Sequence, residues 1–295
     1  MDIRAILGGL AFAVMWSSAF TAARVIVAAA PPLSALSLRF LISGLLGVAI
    51  AYALGQSWRL TPAQWRATIL FGICQNGLYL GLYFIAMQTV EASLAAIIAS
   101  TMPLLVALAG WVALGERLRP LGVAGMIAGF VGVILIMGAR FQGGADPLGV
   151  ALCVIGVISL AMATMTVRGA TSGGNFLMIV GLQMLVGCVV LAVPAALLET
   201  LDIDWSWKLA GAYAYTTLVP GLAATLCWVW LVNRIGTVKA STFHFLNPFL
   251  GVAIAAIFLG ESLGPLDILG VSIIAGGILA VQLSRQKAAA PVPQG

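Results

Sequence analysis

Ten stretches of this chain, at about 5–27, 33–54, 66–88, 92–114, 120–138, 147–168, 175–198, 208–233, 239–259 and 265–283, are apolar and bounded by charges, prolines or glycine-rich breaks. Each approaches the roughly 20 residues that a helix needs to cross a hydrocarbon core of about 30 Å. No water reaches that depth, so every backbone N–H and C=O has to be bonded within a helix or a closed barrel. A barrel strand alternates apolar and polar over about ten residues, whereas 41–54 and 122–138 are apolar all round. The expected fold is an all-α integral membrane protein with ten transmembrane helices in a lipid bilayer. Composition agrees, with 62% hydrophobic and 8% charged residues, against about 45–50% and about 25% in soluble domains. The first stretch follows Arg4 and precedes Ala28-Ala29-Ala30, as in a signal peptide. Its apolar run exceeds the 7–15 residues or so of a signal core, and it is read as a helix.

The formal charge of +5 does not point to nucleic acid, because the basic residues are scattered singly rather than gathered in a patch. Their placement sets direction instead, since Lys and Arg accumulate in cytoplasmic loops. Ten of the 14, from Arg4 to Lys287, fall on one side, against Arg24, Arg140 and Lys208 on the other, with Arg39 inside a span. That places both termini in the cytoplasm of a multi-pass protein of the cytoplasmic (inner) membrane, with 288–295 expected to be disordered. The four cysteines Cys74, Cys153, Cys188 and Cys227 lie in apolar runs without metal or redox spacing, and are expected to be buried free thiols.

The most specific signal is a self-match. Laid over each other at an offset of 145 residues, from 103 to 248, the chain shows Pro103/Pro248, Leu114/Leu259, Gly115/Gly260, Glu116/Glu261, Leu118/Leu263, Pro120/Pro265, Gly125/Gly270 and Gly132/Gly277. A shared Gly-Glu-x-Leu-x-Pro between helices is not generic lipid chemistry. The chain divides into repeats of five helices, 1–142 and 143–287. Five is odd, so the second repeat enters the membrane in the opposite direction, giving a 5+5 inverted-topology repeat. That is the architecture of alternating-access carriers.

The early Trp16-Ser17-Ser18-Ala19-Phe20, the Arg39-Phe40 of the second helix, the two Gly-Glu-x-Leu signatures and the 5+5 plan together resemble the drug/metabolite transporter superfamily, and within it the EamA-type exporters. The resemblance covers nearly the whole chain. It implies export of amino acids and related small metabolites, with ten-helix aromatic amino-acid exporters as a similar group. The second copy departs from the pattern, carrying Gln183 where the first has Arg39, at an offset of 144.

Polar groups at membrane depth face protein or a water-filled cavity, and are the default site candidates. Asn76, Tyr79 and Tyr83 of the third helix share one face at α-helical spacing. In the ninth helix the sole histidine, His244, stands three residues before Asn247, which precedes Pro248. Pro248 and its mate Pro103, beside Ser100, each remove an intrahelical hydrogen bond and break the helix. Trp16 and Ser17 of the first helix complete the substrate-binding candidates, and Trp228 offers a further stacking surface. Arg39 lies roughly 10 Å into its helix at about 1.5 Å per residue, where it either snorkels or pairs, or else meets a substrate carboxylate.

None of the nine carboxylates falls in the middle third of a span, so the usual acid of a proton or sodium relay is missing. No Walker motif is present, so this polypeptide is not driven by ATP. No metal site, cofactor or paired catalytic acids are visible, and the reading is a non-enzyme acting on a small-molecule substrate. Alternatives are a transporter of purines, quaternary cations or drugs, or a channel. The sequence leaves the oligomeric state open, a monomer being compatible.

Overall fold

The structure is a computed structural model and describes residues 2–116, 118–166 and 175–288. Arg117, Arg168 and the tail from 289 lie outside the described residues. Among those described there are helices and no strand. Ten are long and apolar enough to cross a membrane: α1 (Ile3–Val27), α2 (Pro32–Ala53), α3 (Pro62–Ala86), α4 (Ala92–Leu114), α5 (Pro120–Gln142), α6 (Pro147–Met165), α7 (Phe176–Leu198), α8 (Trp207–Ile235), α9 (Lys239–Leu259) and α10 (Pro265–Arg285).

Local chemistry sets the ends. Five of these helices begin at a proline, whose missing N–H is unpaired in a first turn anyway. Asp2 caps α1, accepting from Ala5 N at 2.8 Å, and Thr61 with Gln64 forms a capping box on α3. The matched glycines Gly115 and Gly260 end α4 and α9 with φ of 65° and 71°, a left-handed conformation that a side chain resists.

Each matched proline stands in the first turn of a resumed helix. α4 is interrupted at Thr101, between Ala92–Ser100 and Met102–Leu114. α9 passes through a 3₁₀ stretch at Thr242–Leu246 before resuming at Asn247–Leu259. A second pair of irregularities has no such sequence signal. α3 is π-helical over Gly72–Tyr79 and α8 over Val219–Ala223, and Gly77 and Gly221 correspond across the repeat at an offset of 144.

α2 packs on α7, α5 on α10 and α4 on α9, while α1 meets α8 and α9 as α6 meets α3 and α4. This pattern is unchanged when α1–α5 are exchanged with α6–α10, as two halves related by a twofold require. The α5–α10 seam shows the relation atom by atom. A methyl group on Gly125 would lie 2.8 Å from the Gly277 carbonyl oxygen, and one on Gly270 would lie 2.9 Å from that of Gly132. The sequence pairs Gly125 with Gly270 and Gly132 with Gly277, so the two contacts are one contact repeated by symmetry.

The halves also cap each other. Glu199, at the end of α7, accepts from Leu33 N at 2.7 Å and Ser34 N at 2.8 Å in the first turn of α2. In return Gln56, just past α2, accepts from Met178 N in α7 at 3.0 Å. Glu261 similarly takes Ala92 N and Ser93 N of α4 at 2.8 and 2.9 Å. At the same end of the bundle Arg140 of α5 bridges Glu91 and, at 3.0 Å, Asp267 of α10. At the opposite end Arg234 reaches Asp2 at 3.0 Å. That hydrogen bond, then the one from Ala5 N, holds the Asp2 carboxyl below its usual range. The stability this exposed tie contributes is complete above the unfolded carboxylate pKa and is lost as pH falls through the lower folded value.

Large apolar side chains such as Val112, Leu197, Ile257 and Phe258 stand exposed on the perimeter, as a lipid solvent demands. All four cysteines are free, but only Cys153 is buried; Cys74, Cys188 and Cys227 are half-buried. An apolar run says that a residue is out of water, not whether it faces protein or lipid, and this corrects the expectation that all four would be buried.

Candidate functional site

The breaks in α4 and α9 meet beside α1 at the centre of the bundle and enclose a small cavity. It is lined by Trp16 and Phe20 of α1, Tyr79 of α3, Ala96, Ala99, Ser100, Met102 and Pro103 of α4, Leu160 of α6, and His244 and Asn247 of α9. The space open to the centre of a water molecule is about 20 Å³, room for about one water. The cavity is too small for a solute larger than water. A larger hollow of about 360 Å³ between α4, α5 and α6 is apolar apart from Thr101, whose hydroxyl already donates to the Ile98 carbonyl at 2.7 Å. It offers a solute no side-chain donor, and the Thr101 hydroxyl as its one oxygen acceptor.

Chemistry concentrates on His244 and Asn247. The 3₁₀ stretch and the following turn of helix place Asn247 Nδ2 3.0 Å from His244 Nδ1. With the amide donating, the neutral imidazole carries its proton on Nε2. Asn247 Oδ1 is buried with no hydrogen-bond partner among the described residues. Ser17 Oγ reaches the Asn247 main-chain carbonyl at 3.5 Å. Three further aromatic rings close on the imidazole: Phe12 at 5.4 Å and 88°, Trp228 at 5.2 Å, and Trp16 at 6.3 Å and 89°. Edge-on approaches at such distances are favourable for aromatic pairs. On the opposite wall Ser100 Oγ donates to the Ile97 carbonyl at 2.7 Å, so its lone pairs remain to accept from a solute.

Six of the residues singled out from sequence, Trp16, Tyr79, Ser100, Pro103, His244 and Asn247, line this one cavity. The others lie behind it. Ser17 supports Asn247. Asn76 is 2% exposed and turns away, donating from Nδ2 to the Gln183 carbonyl of α7 at 2.9 Å. Tyr83 is fully buried against Gly156 of α6 and the Phe20 ring, and its hydroxyl has no partner among the described residues. Pro248 is buried within α9 outside the lining. The lining residues that polarity did not single out are apolar. Met102 is a telling case, because it occupies in the first repeat the position of Asn247 in the second, at the offset of 145. The twofold is therefore broken in chemistry at the cavity, with a thioether facing an amide.

Comparison with known proteins gives the same plan. A solved crystal structure, 22% identical, superposes with a TM-score of 0.70 over 98% of this chain and 100% of that one, which fixes the fold. The chain is 29% identical to the uncharacterized transporter YvbV of Bacillus subtilis, over 95% of this chain and 93% of that protein. It is 26% identical to the uncharacterized inner membrane transporter YedA of Escherichia coli, over 92% and 88%. Protein PecM of Dickeya dadantii is 24% identical, over 95% and 94%. The profile of the EamA-like transporter family matches twice, at residues 3–138 and 147–283. One match falls on each set of five helices, and with it this multi-pass membrane chain belongs to the EamA-like transporter family.

Proposed function

We propose that this transporter exports amino acids or related small metabolites across the cytoplasmic membrane by alternating access, with both termini in the cytoplasm. The observation that carries the reading is the cavity at the crossing of two symmetry-matched broken helices, lined by aromatic rings and uncharged polar groups. Such a lining suits small zwitterions with an apolar or aromatic side chain better than strongly charged ions. A contracted cavity between two similar halves fits a carrier whose site is exposed to each side in turn as the halves exchange conformations. The repeat units are 1–142 and 143–287. Export, as opposed to uptake, rests on the family resemblance, because an uncoupled symmetric carrier moves its solute down whichever gradient it meets.

The test is counterflow in proteoliposomes, with competition across amino acids, purines and quaternary cations. Saturable counterflow inhibited by amino acids is the expected result. Competition by purines or cations alone would reassign the substrate, and flux without saturation or counterflow would replace the carrier with a channel. Orientation is checked separately. In a background without the four native thiols, single cysteines at Gly144 and Asp202 are expected to react with an impermeant reagent added to intact cells. Labelling only after lysis would reverse the topology.

A further inference from the structure

Arg39 of α2 is 6% exposed and makes no ion pair or hydrogen bond among the described residues. Its guanidinium lies 5.5 Å from the centre of the neighbouring Phe40 ring, and its Nε is buried without an acceptor. One turn further along, Ser43 is 1% exposed and its Oγ also has no partner. Both groups converge on the bare backbone of Gly221, in the π-helical turn of α8. A methyl group there would lie 3.1 Å from the Thr216 carbonyl oxygen, 3.5 Å from Arg39 Nη2 and 3.6 Å from Ser43 Oγ.

The repeat supplies a comparison within the same molecule. At an offset of 144, Arg39, Ser43 and Gly221 correspond to Gln183, Gly187 and Gly77. In that equivalent place the junction is filled, with Asn76 packed on Gly187 and bonded to the Gln183 carbonyl at 2.9 Å. In the α2–α8 place a cation and a hydroxyl approach one spot beside the Thr216 carbonyl oxygen, and neither makes a hydrogen bond among the described residues. A guanidinium at membrane depth is costly unless an anion or cavity meets it. Two donors without acceptors ask for one ligand that accepts from both, and a planar carboxylate matches the guanidinium fork.

We propose that Arg39 and Ser43, over Gly221, form a carboxylate subsite for the transported solute; this rests on the transport reading above and narrows it to solutes that carry a carboxylate. Arg39 is not a lining residue of the contracted cavity, so the subsite is engaged when the cavity widens to admit its load. Only one half has the arginine, so one carboxylate is held per transport cycle.

The test uses the full chain in nanodiscs of phosphatidylcholine, whose zwitterionic headgroup carries no net charge, and follows the midpoint of thermal unfolding. The probes are L-phenylalanine, L-phenylalaninamide, phenylacetate and inorganic phosphate. L-Phenylalanine and phenylacetate are expected to raise the midpoint, and the amide to leave it unchanged. Arg39→Gln should raise the half-effective concentration of both carboxylates roughly 10- to 100-fold, with Ser43→Ala causing a smaller loss and Arg39→Lys a partial recovery. If Arg39→Gln does not fold, Arg39→Lys and Ser43→Ala carry the same comparison. Equal responses of wild type and variants overturn the subsite, as does the absence of any carboxylate response. A response to phosphate alone, or one that appears only with anionic lipid, assigns the site to a phosphate headgroup and also overturns it. An Arg39-dependent carboxylate response without counterflow in proteoliposomes would sink the transport reading and leave the anion site standing.

Discussion

Replacing Gly125 with leucine is expected to cost this protein most of its folded yield. In lipid there is little hydrophobic gain when one apolar helix meets another, so association depends on close packing of backbones across small residues. α5 and α10 have taken that to its limit. Gly125 and Gly132 face Gly277 and Gly270, and what a new side chain at Gly125 would strike first includes the Ala280 methyl and the Gly277 carbonyl oxygen, the latter at 2.8 Å. The Ala280 methyl is fixed to its backbone and has no other rotamer, and the Gly277 carbonyl cannot move without its helix. Leucine there forces the two helices apart along the seam, at or above the upper end of the about 1–3 kcal/mol usual for overpacking. The comparison is Gly138→Leu on the same helix, where nothing lies within 4 Å. Thermal unfolding in detergent should show a large fall in the midpoint for the first and almost none for the second. Equal stability of the two would mean that the seam is not a closed contact.

The second large effect is expected on transport. Asn247→Ala removes the amide that holds the His244 ring at 3.0 Å, together with the unpartnered acceptor Oδ1. An unpaired buried acceptor stabilises nothing in the resting fold, and its deletion relieves a desolvation cost that offsets the hydrogen bond lost from His244 Nδ1. The midpoint should therefore stay close to wild type. A solute that donates to Oδ1 loses a hydrogen bond made in a dry site, and saturable counterflow should drop by roughly tenfold or more. Tyr79→Ala, on the opposite wall, should reduce flux by removing a lining ring. A fall in stability with unchanged flux per folded molecule would make both residues packing elements instead.

How much of this was legible in the sequence depends on which level of structure wrote the signal. The spans were legible because lipid punishes every uncompensated polar group, and the observed limits of α4, Ala92–Leu114, coincide with the apolar run at 92–114. The breaks at Thr101 and Thr242–Leu246 were legible because proline removes a donor wherever it stands in a helix. The π-helical turns were not, since an i to i+5 turn is selected by what packs on it and leaves no residue of its own kind. Their effect reaches the site. The spacing of Asn76, Tyr79 and Tyr83 places them on one face only if the helix keeps α geometry. The π-helical stretch Gly72–Tyr79 turns Asn76 toward α7 while Tyr79 looks into the cavity. Arg39 was legible as an anomaly, a charge inside a span, but its lack of a partner depends on α8 and lies beyond any reading of α2 alone.

The contracted cavity also has an electrical meaning. Protons cross protein interiors along files of hydrogen-bonded water, and a file needs neighbours. About 20 Å³ at the crossing of α4 and α9 admits about one water, and a single molecule there, walled on its apolar sides by Trp16, Phe20, Met102 and Leu160, has no second water beside it in the same cavity. The resting transporter is thus an insulator at its centre. On the alternating-access reading proposed above, a cell could hold many copies of it without discharging its membrane potential, conduction through the middle of the bundle waiting on a solute large enough to part the helices.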